Sequence, residues 1–524
     1  MVHDTIIIGS GPAGVHAALP LVEAGKSVLM IDGGKEGPTI LSESPSMPFD
    51  EMRRTRDDQW KWFLGEDLSS IPLAGLEGGL GGGMMSGNRA YVLDDANDAQ
   101  PMQTENAQVI QSLAKGGLGA AWGATSAYFS REQIDILGLQ GIDLEPYYDA
   151  VTKEIGISGP SNKLHVQPAL PPDHHVRVMQ KKYEEKQTWF KEQKMTLTLP
   201  HAAVLTESLG NRKPNPLHDL DYFTDPEGSV YRPKYTIEKL QTYPNFTYLG
   251  SHIVRKVNEE EGVVRVHSET MEEKKEMMHE ARHVILAAGA VNTARILLKS
   301  RNLEGVSVPF VGKPHVFTAA LRFGGLGSSG DKNRFSLCQA LVIDQNGKNG
   351  IEAGSAQLYS YRSLGLFRLI NSLPLSTPLA LRVAALFSPA LIVADIRFPA
   401  LPGTNTLTLV DNTIRIKMNV STEEREARKN ITRNIHRGLR ALGVMPLHTI
   451  DLPEGSSSHY AGTVPIEDHP SLPLSVDKDG NLHGAKRISV ADASIFRSLP
   501  SLPHTLTIMA NARRIGALTV ASLS

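Results

Sequence analysis

The run Gly9-Ser10-Gly11-Pro12-Ala13-Gly14 follows the apolar residues Ile6-Ile7-Ile8 and starts only eight residues into the chain. A second apolar stretch, Val28-Leu29-Met30-Ile31, ends at Asp32, 18 residues beyond Gly14. Strand, glycine turn, helix, strand and acid in this order commit the N-terminus to a Rossmann-like α/β unit. Gly9 permits the tight turn, Gly11 lets a pyrophosphate approach the backbone, and Gly14 lets the helix pack on the strand. Ser10 and Ala13 lie where unpaired N–H groups and the helix dipole favour negative charge. Asp32, with Gly33 after it, is placed to accept hydrogen bonds from the ribose hydroxyls of an adenine dinucleotide.

A chain of 524 residues exceeds one ordinary core, so two large lobes are expected. Its 41% hydrophobic and 21% charged residues are those of a soluble globular protein, and a formal charge of −2 gives no sign of a nucleic-acid partner. Cys338 is the sole cysteine, which excludes an internal disulfide and a CxxC site. His174-His175, His315 and His469 show no ligand-type spacing, so no metal is expected. No run of 18 apolar residues occurs, which argues against a spanning helix. The nucleotide motif begins almost at Met1 and leaves no room for a signal peptide, so a cytoplasmic location is expected.

The glycine-rich stretch 75–87 reads as a mobile loop or as a lid over a cavity. Residues 111–126 form a second glycine-rich turn with one large aromatic, Trp122. A strand pair is expected near 246–249 and 263–267, and another strand at 283–288 turns at Gly289 into a helical pattern over 291–299. Strand-like runs recur at 319–323, 407–410 and 414–418, and 423–442 is an amphipathic helix stopped by Gly443. The apolar region 364–394, punctuated by Arg368 and Arg382, reads as buried helices of a second lobe, or else as a greasy substrate entrance or membrane-surface patch.

Near the C-terminus, His459-Tyr460-Ala461-Gly462-Thr463 sits on a loop of small residues, and Pro503-His504-Thr505 opens a helix 45 residues beyond His459. Between them comes a strand at 487–490 followed by Ala491-Asp492-Ala493. These residues resemble the glucose–methanol–choline family of flavin oxidoreductases. The segment 284–300 is similar to that family's strand-turn-helix signature, with Ala294 where a proline is usual, and Gly116-Gly117 through Trp122-Gly123 resembles its flavin-side loop. The resemblance implies a Rossmann-like FAD-binding domain plus an inserted α+β substrate domain with an antiparallel sheet. The FAD-binding domain would comprise 1–160, 228–312 and 452–524, and the substrate domain 161–227 and 313–451.

It further implies FAD contacts from Gly116, Gly117, Ala121, Trp122, Gly123, Val254, Ala288, Gly289, Asp492, Ala493 and Thr505. Relatives resembling pyranose oxidase attach flavin through a histidine just before the Trp; here Ala121 stands there, so non-covalent FAD is expected. After Thr463 the chain continues Val464-Pro465-Ile466-Glu467, unlike most members, so the substrate-side wall cannot be copied from a relative. Oxidising an alcohol to a carbonyl needs a base for the hydroxyl proton and a hydride acceptor. His459 is the candidate base, with His504 orienting the alcohol. The substrate would be a small alcohol or sugar, the electron acceptor oxygen or another carrier, and assembly into a homo-oligomer is allowed. Two alternatives stand: a lyase on the same fold, similar to hydroxynitrile lyases, and a flavin-binding subunit without chemistry.

Overall fold

The computed structural model describes residues 2–38, 45–47, 51–52, 55–64, 87–93, 95–161, 163–218, 225–326, 335–360 and 374–523. Strand β1 (Val2–Ile8) ends in four buried residues, with Ile6 and Ile7 fully enclosed. A strand covered on both faces belongs in the middle of a largely parallel sheet. The turn at Gly9 leads into helix α1 (Pro12–Glu23), which opens on Pro12, where a missing N–H leaves no intrahelical bond unmade. Strand β2 (Val28–Ile31) returns parallel to β1. On its other side β1 pairs, also in parallel, with the long strand β3 (Glu276–Leu286). The last residues of β3 pair in parallel with Ile488–Val490, while its first half pairs antiparallel with Val263–Thr270. Helix α2 (Gly289–Ser300) follows β3 and packs against His252–Glu260.

The second lobe is built on a six-stranded antiparallel sheet. Its middle consists of β4 (His315–Leu321), β5 (Gly354–Tyr359) and β6 (Leu391–Arg397), with β6 between the other two. Met445–Asp451 lies beside β4, and Ala340–Asp344 then Met195–Thr198 lie beyond β5. Alternate residues face opposite ways along a strand. Val316, Ala356, Leu358, Ala394 and Ile396 form one apolar face, buried together with Ile435 and Leu439 of helix α3 (Thr422–Ala441). His315, Gln357, Tyr359, Asp395 and Arg397 therefore share the opposite face. Helix α3 is started by a capping box in which Ser421 accepts from the Glu424 N–H.

Three sequence expectations change. Strands 246–249 and 263–267 do not pair with each other: Phe246–Leu249 adds in parallel to β2, and a strand at His252–Glu260 lies between them in the chain. Among the described residues of 364–394, the helical reading holds for Thr377–Phe387 but not for Leu391–Arg397, which is a strand; Ser388-Pro389 breaks the helix, and Ile392, Val393 and Ile396 suit a pleated surface. Residues 364–373 and the glycine-rich stretch 75–86 lie outside the described residues. Leu407, Leu409, Ile414 and Ile416, expected in the substrate lobe, pack into the nucleotide-lobe core, as do Ala202, Ala203 and Val204. Among the described residues, no helix is long and apolar enough to cross a membrane.

Candidate active site

Gly9 has φ +101°, and a Cβ there would lie 2.5 Å from the Ala287 carbonyl oxygen. A Cβ at Gly14 would lie 1.9 Å from the Gly9 carbonyl oxygen, so helix and turn approach each other only through glycine. Gly11 differs. The nearest atom to its Cβ would be the Gly116 oxygen at 3.9 Å, and the residue faces an open cavity. Protein packing does not require glycine at position 11, and its absent side chain leaves the turn's backbone open to the cavity.

That cavity has a volume of about 280 Å³ and is lined from both lobes. Of the residues singled out from sequence, Gly9, Ser10, Gly11, Ala13, Asp32 and Gly33 line it. So do Gly117, Trp122, Gly123, Val254, Ala288, Gly289, Asp492, Ala493 and Thr505, together with His459 and His504. Gly14, Gly116 and Ala121 stand behind the wall. Gly116 donates its N–H to Ser10 Oγ at 2.9 Å, and Ala121 is completely buried.

Asp32 ends β2 as a half-buried carboxylate that accepts from Ser10 Oγ at 2.7 Å, Tyr248 Oη at 2.9 Å and the N–H groups of Ser10 and Gly34. Burial raises its pKa, against the pull of those four donors. Asp492 is held alike, accepting from Thr293 Oγ1 at 2.6 Å and the Gly289 N–H at 2.8 Å, and burial raises its pKa as well. It thereby ties the start of α2 to the C-terminal segment. The dinucleotide requirements are all met: a glycine turn open to the cavity, free N–H groups at the start of α1, and an acid at the end of β2.

His459 and His504 have ring centroids 4.9 Å apart. His504 is the N-cap of α4 (Thr505–Ser522), so unpaired N–H groups of that helix begin beside it. Both histidines have pKa values pushed well below the ordinary 6.5, first by burial. Arg397 then lowers His459 further, and Lys313 lowers His504. Each is therefore a neutral imidazole at neutral pH, able to accept a proton.

Four polar residues of the site were not legible in the sequence. Arg397, Gln357 and Tyr359 line the cavity from β6 and β5. Arg397 Nη1 lies 3.5 Å from His459 Nδ1 and 3.4 Å from its Nε2. Lys313 is fully buried, donates to the Leu502 carbonyl at 2.6 Å and stands 3.5 Å from His504 Nδ1. The available signal was Asp395 and Arg397 two residues apart within an apolar strand, which puts both charges on one face.

A dinucleotide cradle opening onto paired histidines and a polar sheet face defines a two-lobed flavoprotein of the oxidoreductase class. An FAD-binding-domain model matches residues 4–63, and a GMC oxidoreductase model matches residues 404–512, which include His459 and His504. Over these residues the chain is similar to the GMC oxidoreductases, FAD-dependent enzymes acting on CH–OH groups. No curated protein matches the chain.

Proposed function

We propose that this enzyme oxidises an alcohol (a sugar, a glycoside or another hydroxyl compound) to a carbonyl. His459 acts as general base and His504 as its hydrogen-bonding partner. The observation that carries this reading is the pair of neutral histidines, 4.9 Å apart, in the cavity that continues from the glycine turn. Bound FAD supplies the hydride acceptor. Ser10, Gly11 and Ala13 hold the pyrophosphate at the start of α1, and Asp32 accepts from the ribose. His459 takes the hydroxyl proton while His504 holds the substrate oxygen. FAD is retained without a covalent bond, because Ala121 offers no nucleophile. The electron acceptor is oxygen or another small carrier.

The test is anaerobic mixing of the holoenzyme with a panel of alcohols and sugars while the flavin absorbance is followed. Bleaching by at least one alcohol, with a carbonyl product, is the expected result. Flavin that stays oxidised with the whole panel, while a cyanohydrin is cleaved, would assign the protein to the lyases instead.

A further inference from the structure

The sheet face opposite α3 presents hydrogen-bond donors to the cavity. Arg397 is held rigidly: its Nε donates to Asp395 Oδ2 at 2.8 Å, and its Nη2 lies 2.8 Å from the same oxygen. Nη1 faces the two ring nitrogens of His459, and no oxygen among the described residues accepts from it. Gln357, opposite Asp395 in the β5–β6 register, is almost completely buried and lines the same cavity. Its Oε1 accepts from Tyr359 Oη at 2.8 Å, while its Nε2 has no partner among the described residues. An unpaired buried amide N–H is costly unless a ligand accepts from it.

Asp395 also anchors a second group on this face. Asp395 Oδ1 accepts from His315 Nδ1 at 2.9 Å. Ser456 Oγ, which donates to the Pro453 carbonyl at 2.6 Å, lies 3.0 Å from His315 Nε2. One carboxylate thus contacts both His315 and Arg397. A proton taken up by His459 would add a further positive charge beside Arg397, which a nearby anion on the substrate would offset.

We propose that the substrate carries an oxyanion, a carboxylate foremost, that docks on Arg397 and Gln357 while its carbinol carbon faces His459. This rests on the alcohol-oxidation reading, but its test does not require turnover. Guanidinium groups bind carboxylates and phosphates through the same planar donor geometry, so both chemistries are probed. The oxidised holoenzyme is titrated with benzoate against benzamide, glycolate against glycolamide, and methyl phosphate. Binding is read by calorimetry and by the flavin difference spectrum. At least one anion should bind about tenfold or more tightly than its neutral amide, the scale of a charged hydrogen bond. Arg397→Met should bring that ratio close to one with flavin still bound, and Gln357→Leu should weaken the anion several-fold and the amide little. Tightest binding of methyl phosphate would make the oxyanion a phosphate; tightest binding of benzoate or glycolate would make it a carboxylate.

Should Arg397→Met fail to fold, Arg397→Lys serves in its place, and the preference should shrink without vanishing. Equal binding of acids and amides by the wild type would overturn the proposal. So would an anion preference that survives loss of the guanidinium. Anion binding at this site without bleaching by any alcohol would leave the docking site standing and refute the oxidation reading alone.

Discussion

Asp395→Asn is the substitution whose consequence the structure defines most closely. The carboxylate is buried on the cavity face of β6, where it takes two contacts from Arg397 and one from His315. Burial alone would raise its pKa, but the Arg397 guanidinium and His315 outweigh burial and hold it at about 2, against an ordinary 3.8. That difference corresponds to about 2–3 kcal/mol of favourable interaction with the ionised form. Asparagine keeps the shape but has one accepting oxygen, and its NH₂ must face either the Arg397 guanidinium or His315 Nδ1. Removing one partner of a buried ion pair costs about 3–5 kcal/mol, because the other charge is left uncompensated. The two figures agree to within a factor of about two, so a loss of about 3 kcal/mol is expected. Urea unfolding of the holoenzyme at neutral pH, followed by tryptophan fluorescence and separately by flavin release, measures it. The double variant Asp395→Asn/Arg397→Met should recover about half or more of the loss, since the stranded guanidinium is gone. The pH dependence has a definite sign. A carboxylate with a depressed folded pKa contributes fully above 3.8, and that contribution fades as pH falls towards 2; the asparagine variant lacks this acid-sensitive part. A single variant within about 0.5 kcal/mol of wild type, or a double variant no better than the single, would refute the reasoning.

Gly11→Val places side-chain carbons in the open space before the turn and should abolish FAD retention, while Asp32→Ala should weaken it less; flavin-to-protein absorbance ratios of the purified variants decide this. Acid precipitation of the wild type should release intact FAD into the supernatant, and flavin fluorescence left with the pellet would contradict the reading of Ala121. His459→Ala should keep its flavin yet reduce it about 100-fold or more slowly, whereas His504→Asn, which retains a hydrogen-bonding side chain, should be milder. Because burial and Arg397 depress the pKa of His459, the acid limb of flavin reduction in the wild type should fall below pH 6.5, and stopped-flow profiles of His459→Ala should lack that limb. Wild-type rates in both histidine variants would reject the assigned roles.

The nucleotide cradle could be read from the chain because each of its parts is local: the turn glycines, the proline opening α1, and an acid at the end of the next strand. The pairing of 246–249 could not. Its true partner, β2, lies more than 200 residues earlier, and parallel pairing leaves no short turn to mark it. The strand His252–Glu260 was missed because half of it is polar and partly exposed, which weakens the apolar signal. In the second lobe, a continuous apolar run hid the change from helix to strand at 388–391. The polar face of that sheet depends on register. Gln357 meets Asp395, and His315 meets Arg397, only through antiparallel pairing between strands tens of residues apart.

The two histidines also depend on a non-local arrangement, which centres on Lys313. Its backbone N–H donates to the His459 carbonyl at 3.0 Å, and its own carbonyl accepts from Ser457 Oγ at 2.6 Å. Immediately before it, Val311 and Gly312 pair with Ala461 and Tyr460. The His459 loop is thereby fixed to the segment that enters β4. The side chain of Lys313 runs the other way, to the Leu502 carbonyl and within 3.5 Å of His504 Nδ1. Burial depresses its pKa well below the ordinary value, but Glu352, which accepts from Ser501 Oγ and the Leu502 N–H, opposes that shift. One buried residue thus fastens two loops that lie 45 residues apart in sequence. The separation of the imidazoles is set by the scaffold before any ligand arrives, and a base and its partner fixed in this way have little reorganisation left to undergo when a substrate binds.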